Sequence, residues 1–175
     1  MTLISRAKAA LRQCMRNITS LLSSEDALEA GIQVAKHIDQ WLLSINPPPK
    51  AIALFTSLKD EIATAPLATI LEDREIAICR PFIRSDKVFD WVPQLAPDII
   101  IVPGLAFDLK GQRLGRGQGY YDRYLSGLDH QGGRPILLGL CLDEQLIEVV
   151  PSEKHDVVMD FICTPKRGVL KANSE

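Results

Sequence analysis

The sequence lacks the cysteine and histidine spacing of a structural metal site. Its four cysteines, Cys14, Cys79, Cys141 and Cys163, form no C-x-x-C pair, and no histidine lies near them at zinc-finger spacing. Three of the four lie in apolar runs. This predicts reduced, buried thiols in a cytosolic protein.

An excess of charge of one sign and long apolar runs are also missing. The chain carries 20 basic and 22 acidic side chains, a net charge of -2. Such a balance excludes broad attraction to nucleic acid or anionic lipid, so any anion site must be local. No apolar run approaches the roughly 20 residues of a membrane span, and the chain begins without the apolar segment of a signal peptide. We therefore expect a soluble, cytoplasmic protein that binds no nucleic acid and no membrane.

Several common catalytic motifs are absent as well. A Walker A loop needs Gly-Lys-Ser/Thr after its second glycine, and a dinucleotide fingerprint needs G-x-G-x-x-G straight after a strand. The sequence contains neither of them, no G-x-S-x-G and no recognisable Ser-His-Asp or Cys-His order.

Hydrophobic periodicity predicts one α/β domain over residues 1–175. Helices are expected at 2–22, 24–43, 59–72, from about Gly119, and at 143–147; strands are expected at 50–55, 75–79, 98–102, 135–141 and 157–163. Alternating strands and helices indicate a mainly parallel sheet flanked by helices, a Rossmann-like three-layer arrangement. Such sheets bind ligands outside the carboxyl ends of their strands.

The segment from Arg113 to Arg123 has the composition of a phosphate-binding loop. It reads Arg-Leu-Gly-Arg-Gly-Gln-Gly-Tyr-Tyr-Asp-Arg, with glycines at alternate positions. Glycine permits positive φ and close approach of backbone N–H groups to an anion. The guanidinium groups of Arg113 and Arg116 would bind phosphate oxygens, and Asp122 could hold a divalent metal beside the phosphates. The alternative is a glycine-rich surface turn that caps a helix.

Two further candidates lie earlier in the chain. Lys8 and Arg12 are four residues apart on one face of the first predicted helix and could bind the same polyphosphate. The alternative is a solvated basic face. Glu61, near Thr56, follows the first predicted strand and could accept hydrogen bonds from the amino groups of a heterocycle. The alternative for Glu61 is a charge that complements the dipole of the helix predicted to begin there.

An acidic segment precedes the last predicted strand. His155 and Asp156 lie in this segment, and Asp160 follows four residues later. One of the aspartates could join Asp122 around a magnesium ion, because magnesium prefers oxygen ligands. The alternative is an acidic loop without a ligand.

Taken together, these motifs resemble the 5-formyltetrahydrofolate cyclo-ligase family. The most specific parts are Val102-Pro-Gly-Leu-Ala-Phe-Asp and the run that begins at Arg113 and continues through Tyr-Leu after Arg123. Weaker matches include Asp60-Glu-Ile, Gly139-Leu-Cys-Leu-Asp-Glu-Gln-Leu and Val150-Pro-Ser-Glu-Lys-His-Asp. Gln118 departs from the family pattern, in which a basic or small residue is common at that position.

The resemblance implies an enzyme that converts 5-formyltetrahydrofolate to 5,10-methenyltetrahydrofolate with ATP and Mg²⁺. The formyl oxygen would be phosphorylated, N10 would close the ring, and ADP and phosphate would be released. A monomer or weak homodimer is expected. The competing hypotheses are a folate- or nucleotide-binding regulator without turnover, and a sugar-phosphate isomerase or acyl transferase on a similar sheet.

The resemblance also implies roles for individual residues. The ATP-binding residues would be Lys8, Arg12, Arg113, Leu114, Gly115, Arg116, Gly117, Gln118, Gly119, Tyr120 and Tyr121. The folate-binding residues would be Thr56, Glu61, Arg116, Gly117, Gln118, Gly119 and Tyr120. Arg116 and Tyr120 would be catalytic, Asp122 and Asp156 would hold magnesium, and Tyr120 with Phe55 would pack against the pterin.

Overall fold

A computed structural model describes residues 2–83, 89–92, 95–128, 134–154 and 156–173. The helices are α1 (Leu3–Thr19), α2 (Ser24–Leu42), α3 (Ala65–Asp73) and α4 (Tyr120–Ser126), with a 3-10 helix at Asp143–Gln145. The strands are β1 (Ala51–Ala53), β2 (Ala77–Ile83), β3 (Phe89–Val92), β4 (Ile99–Pro103), β5 (Ala106–Phe107), β6 (Arg113–Leu114), β7 (Ile136–Leu140), β8 (Phe161–Thr164) and β9 (Gly168–Lys171). Among the described helices, none has the length and apolarity needed to cross a membrane.

Seven of the described strands form one sheet in the order β3-β2-β1-β4-β7-β8-β9. The five inner strands run parallel, and β3 and β9 pair antiparallel at the two edges. The register places Ile52 beside Ile99, and Ile100 beside Leu137. Parallel strands are covered on both faces, which explains their continuous apolar sequences. The predicted α/β class with a mainly parallel sheet is confirmed.

Helices cover both faces of the sheet. Successive strand residues point to opposite faces, so Ile99 packs with α2 and α3, whereas Ile100 belongs to the core beneath α4. Helix α1 packs elsewhere: Met15 joins Leu105 and Leu114, around the β5–β6 hairpin. This places α1 against the segment that leads into the glycine-rich loop.

Two glycines make room for one buried aromatic ring. A Cβ at Gly139 would lie 2.4 Å from Cε1 of Phe107, and a Cβ at Gly104 would lie 2.7 Å from Cε2 and Cζ of the same ring. Phe107 is fully buried. Both positions therefore require glycine for packing, and Gly104 does so at the carboxyl end of β4, beside the candidate site.

The sequence prediction was wrong about the start of the third helix. Helix α3 begins at Ala65, not near residue 59, with Thr64 at its N-cap and Pro66 in its first turn. The hydroxyl of Thr64 donates to the Phe55 carbonyl at 2.9 Å, and its backbone N–H donates to Ser57 Oγ at 2.8 Å. These bonds hold residues 54–64 as a loop at the carboxyl end of β1.

Other differences concern short or irregular elements. Strands β3, β5, β6 and β9 were not predicted, and β8 begins at Phe161 rather than at residue 157. The shortest strands carry two residues each, too few for a recognisable alternation. The helix expected from about Gly119 is present, with Gly119 as its N-cap.

Candidate active site

A cleft of about 480 Å³ opens at the carboxyl ends of β1 and β4. Its lining consists of Phe55, Thr56, Leu58, Glu61, Pro81, Pro103, Gly104, Arg113, Gly115, Arg116, Gln118, Gly119, Tyr120, Tyr121 and Asp122. The loop that follows β1, residues 54–64, forms one wall, and the glycine-rich loop, residues 115–119, forms another. The sheet thus brings together two loops that are about 60 residues apart in sequence. They meet at the carboxyl ends of the strands, where parallel sheets bind ligands.

The three glycines of the glycine-rich loop serve different purposes. Gly117 and Gly119 have φ values of 104° and 68°, which side chains rarely adopt. Gly115 has no positive φ, but a Cβ there would lie 3.1 Å from Nη1 of Arg113. Positive φ thus explains two of the glycines, and the close approach of a guanidinium explains the third.

Arg113 is a buried residue of the cleft lining. Its side chain is only 4% exposed and pairs with the Asp122 carboxylate. It also donates to the Pro103 carbonyl at 3.0 Å and lies 5.7 Å from the ring centre of Tyr121. Burial raises the pKa of the Tyr121 phenol, so that group stays protonated at neutral pH. The Arg113 guanidinium therefore joins the end of β4 to the first turn of α4.

Arg116 connects the two walls of the cleft. Its Nη2 lies 2.9 Å from Oδ1 of Asp60 and 3.0 Å from Oε1 of Glu61, and its Nε lies 3.2 Å from that same Glu61 oxygen. Burial by itself lowers the pKa of Arg116, but the bonds and charges of the two carboxylates outweigh it and raise that pKa. The guanidinium is therefore charged and is held toward the wall formed by residues 54–64.

Glu61 does not begin a helix, so it does not have the helix-dipole role considered as an alternative. It lies in the loop before α3, where its Oε2 accepts the backbone N–H of Leu58 at 2.9 Å and its Oε1 accepts Arg116. Thr56 is exposed on the same wall of the cleft. Both residues predicted to meet a heterocycle thus lie at the cleft.

The basic side chains of α1 brace the glycine-rich loop instead of forming a solvated face. Nε of Arg12 donates to the Gly115 carbonyl at 2.9 Å, and Nη2 of Arg16 donates to the Arg116 carbonyl at 3.1 Å. These contacts bring Arg12 to the loop on which the predicted nucleotide site depends. Helix α1 therefore holds this loop by donating hydrogen bonds to the backbone carbonyls of the loop.

Lys8 is held by two carboxylates. Its Nζ lies 2.6 Å from Asp156 and 3.0 Å from Glu153, and its side chain is 10% exposed. Burial by itself lowers the pKa of Lys8, but hydrogen bonds and attraction from Asp156 and Glu153 outweigh it, and the pKa is raised. Lys8 thus anchors α1 to the segment after Val150.

The acidic residues proposed for magnesium occupy different environments. Asp122 lies in the first turn of α4, lines the cleft and is 39% exposed. Asp156 accepts Lys8 and the backbone N–H of Glu153. Asp160, the alternative ligand, accepts the N–H of Leu137 near the beginning of β7 and pairs with Arg134. Asp160 is therefore bound at the amino ends of β7 and β8, away from the carboxyl ends where the cleft opens. His155 lies outside the described residues.

The donor set fits a magnesium ion that is held mainly by a nucleotide. Among the residues that the structure describes, no three His, Cys, Asp or Glu side chains gather into a metal site. Mg²⁺ beside phosphates usually takes one or two carboxylates and completes its shell with phosphate oxygens and water. The carboxylate of Asp122, which is 39% exposed at the cleft and pairs with Arg113 through Oδ1, supplies one such ligand.

The remaining predicted residues divide between the cleft and the core. Tyr120 lines the cleft with Phe55, and the Arg123 guanidinium lies 5.2 Å from the ring centre of Tyr120. Gln118 lines the cleft, and its carbonyl accepts Arg123. Leu114 is 1% exposed and packs in the core, so only its backbone could meet a ligand.

Sequence reasoning missed three buried or half-buried polar residues. Asp60 pairs with Arg116; Asp108 accepts the backbone N–H groups of Lys110, Gln112 and Val150; and Gln145 donates to the carbonyls of Gly104 and Leu105. Asp108 and Gln145 secure the loops around β4 and β6. All three residues lie in segments that match the family pattern, but the sequence alone indicated no partner for their side chains.

The buried cysteines are not nucleophiles. Cys79, Cys141 and Cys163 are buried free thiols, as predicted, whereas Cys14 is exposed. Burial raises the pKa of each of the three buried thiols, that of Cys163 to about 12. These thiols therefore stay protonated at neutral pH.

Comparison with known proteins identifies relatives in sequence. Residues 91–165 match the family model described as the 5-formyltetrahydrofolate cyclo-ligase family. The 5-formyltetrahydrofolate cyclo-ligase of Saccharomyces cerevisiae is 50% identical over 68 residues, covering 37% of this chain and 32% of the yeast protein. That of Escherichia coli K12 is 40% identical over 95 residues, covering 53% of this chain and 51% of the bacterial protein. The matches thus span a third to a half of the length of these relatives.

Solved structures give wider coverage. A 5,10-methenyltetrahydrofolate synthetase from Mycoplasma pneumoniae superposes with a TM-score of 0.76 at 26% identity, over 91% of this chain and 99% of that one. The fold is shared with a 5,10-methenyltetrahydrofolate synthetase of Aquifex aeolicus, with a TM-score of 0.73 at 24% identity over 96% and 94% of the two chains. The predicted resemblance to the 5-formyltetrahydrofolate cyclo-ligase family and the predicted fold class are confirmed.

Proposed function

Because the chain resembles the 5-formyltetrahydrofolate cyclo-ligase family in sequence and in fold, we propose that it converts 5-formyltetrahydrofolate and ATP to 5,10-methenyltetrahydrofolate, ADP and phosphate. Mg²⁺ would assist by shielding the charge of the phosphates. A cytoplasmic location, a single domain and a monomer or weak homodimer stay predictions from the sequence.

One observation carries the proposal: Arg116, on the loop suited to phosphates, reaches the wall suited to a heterocycle. The Glu61 carboxylate and the Tyr120 ring line the cleft together with the glycines at 115 and 119. Arg116 contacts Glu61 directly. A reaction between a folate and ATP needs such a shared cleft, since the reacting oxygen and the γ-phosphate must meet.

The chemistry explains why this set of residues suffices. A formamide carbon is a poor electrophile, so its oxygen first attacks the γ-phosphorus, and ADP leaves. N10 then attacks the activated carbon, the carbon–oxygen bond breaks, phosphate leaves with its electrons, and N10 loses its proton. Phosphoryl transfer depends mainly on positioning and charge stabilisation. A protein nucleophile is therefore unnecessary, which agrees with the protonated state of the buried thiols.

Each residue at the cleft has a role in this scheme. Arg116 would neutralise charge on the phosphoryl group as it transfers, and Glu61 would accept hydrogen bonds from the pterin. Tyr120 and Phe55 would pack against the flat ring system. Asp122, the exposed carboxylate of the cleft, would help to hold the metal, and Asp156 is the second predicted ligand.

The test is an absorbance assay with purified protein and 5-formyltetrahydrofolate. We expect the methenyltetrahydrofolate chromophore to grow only when ATP and Mg²⁺ are both present. Omission of each in turn provides the control. Binding of ATP and the folate without any growth of absorbance would instead favour a binding protein without turnover. Product formation without ATP would refute the proposal.

A further inference from the structure

Asp60 has no part in the proposed reaction, yet it pairs with the central arginine of the site. Its Oδ1 lies 2.9 Å from Nη2 of Arg116, and its side chain is 22% exposed. Asp60 lies outside the set of described residues that line the cleft. It therefore helps to hold Arg116 against the wall formed by residues 54–64 without lining the cleft itself.

The same contact occupies the carboxylate predicted to bind the folate. Oε1 of Glu61 accepts both Nε and Nη2 of Arg116, and Oε2 accepts the N–H of Leu58. A carboxylate oxygen has two lone-pair sites, and Arg116 takes both of those on Oε1. An amino group that binds Oε1 therefore displaces Arg116, and a phosphate that binds Nε or Nη2 of Arg116 competes with Glu61 for the same N–H donors.

We propose that Asp60 is a positioning residue that makes nucleotide binding and folate binding depend on each other through Arg116. This inference rests on the proposed function. Either ligand, by binding, breaks the contact between Arg116 and Glu61. The ligand that binds second does not have to break it again, so each ligand raises the affinity for the other by the same factor.

Asp60 sets the size of this coupling because it adds a second negative charge to the group that restrains Arg116. Replacing Asp60 by asparagine keeps the shape of the side chain and removes the charge. Arg116 then leaves Glu61 more easily, so the first ligand binds more tightly and the second gains less. General damage to the loop would instead weaken the binding of both ligands.

Calorimetric titration of the full chain tests this proposal. The probe is a non-hydrolysable ATP analogue with Mg²⁺, titrated with and without saturating 5-formyltetrahydrofolate. For the wild-type protein we expect the folate to raise nucleotide affinity at least about fivefold. For Asp60→Asn we expect nucleotide affinity without folate to rise about threefold, and the effect of folate to fall by the same factor.

Two variants make the result specific. Asp60→Glu keeps the charge and should retain most of the coupling. Asp39→Asn removes the same charge from a surface pair with Arg74 and should change neither quantity. Unchanged coupling in Asp60→Asn, or weaker nucleotide binding by that variant, would overturn the proposal.

The inference and the proposed function can fail separately. A wild-type protein that forms methenyltetrahydrofolate with ATP but shows a coupling factor of one would refute the role of Asp60 alone. A protein that shows the coupling and its loss in Asp60→Asn, but makes no product, would refute the enzymatic function and support the linkage.

Discussion

Replacing Lys8 by methionine separates two roles that the sequence and the structure assign to this side chain. The sequence predicts a ligand of ATP, whereas the structure places Nζ between Asp156 and Glu153 at 2.6 and 3.0 Å. If Lys8 is chiefly an anchor, its loss destabilises the protein. If it is chiefly a phosphate ligand, its loss weakens nucleotide binding without affecting the fold.

The magnitude follows from the geometry. At these distances, and with an effective dielectric constant of about 20, each contact contributes about 5.5–6.5 kcal/mol of Coulomb attraction. Desolvation offsets most of that attraction, and breaking a fully buried pair from one side costs about 3–5 kcal/mol. Asp156 and Glu153 keep 14% and 31% exposure, so we expect Lys8→Met to lower the free energy of unfolding by about 2–3 kcal/mol.

Urea unfolding measures this change, with two controls. Lys36→Met alters an exposed lysine on α2 and should change the free energy of unfolding by less than about 0.5 kcal/mol. The double variant Lys8→Met, Asp156→Asn should recover part of the loss, because it removes one of the two negative charges that Lys8 neutralises. A change below about 0.5 kcal/mol in Lys8→Met, accompanied by a large rise in the KM for ATP, would refute the anchoring role.

Four further expectations follow from the site and the core. Wild-type stability should hold up to the ordinary lysine pKa of 10.5 and fall as pH rises through the raised pKa of Lys8; the same fall in Lys8→Met would contradict this. Arg116→Ala should reduce kcat more than it raises the KM for ATP in the absorbance assay, since charge develops in the transition state; intact kcat would contradict its role. Asp122→Asn should lose most magnesium-dependent turnover yet remain folded by circular dichroism; near wild-type activity would exclude Asp122 as a metal ligand. Gly139→Ala should destabilise the protein by about 1–3 kcal/mol in thermal unfolding, because the new Cβ would lie 2.4 Å from the Phe107 ring; an unchanged Tm would contradict the packing argument.

Several features of the site were accessible from sequence because they depend on local residue chemistry. The continuous apolar run that forms β4 predicted a buried parallel strand, and the glycines before α4 predicted a turn with positive φ. The glycine-rich loop, the carboxyl ends of the strands and Glu61 meet in one cleft as expected, since parallel strands end at a common edge.

The sequence by itself determined the five parallel strands of the sheet and the loop that carries the glycines, because periodicity and backbone freedom are properties of short segments. Only the tertiary structure decided the ionic partners. Lys8 meets Asp156 across 148 residues, and Arg116 meets Asp60 across 56. No local pattern specifies which carboxylate a cation will meet, because the packing of distant elements brings their charges together. Because of that packing, basic side chains of α1 hydrogen-bond to the glycine-rich loop. The same packing lets Arg116 of that loop contact the opposite wall of the cleft.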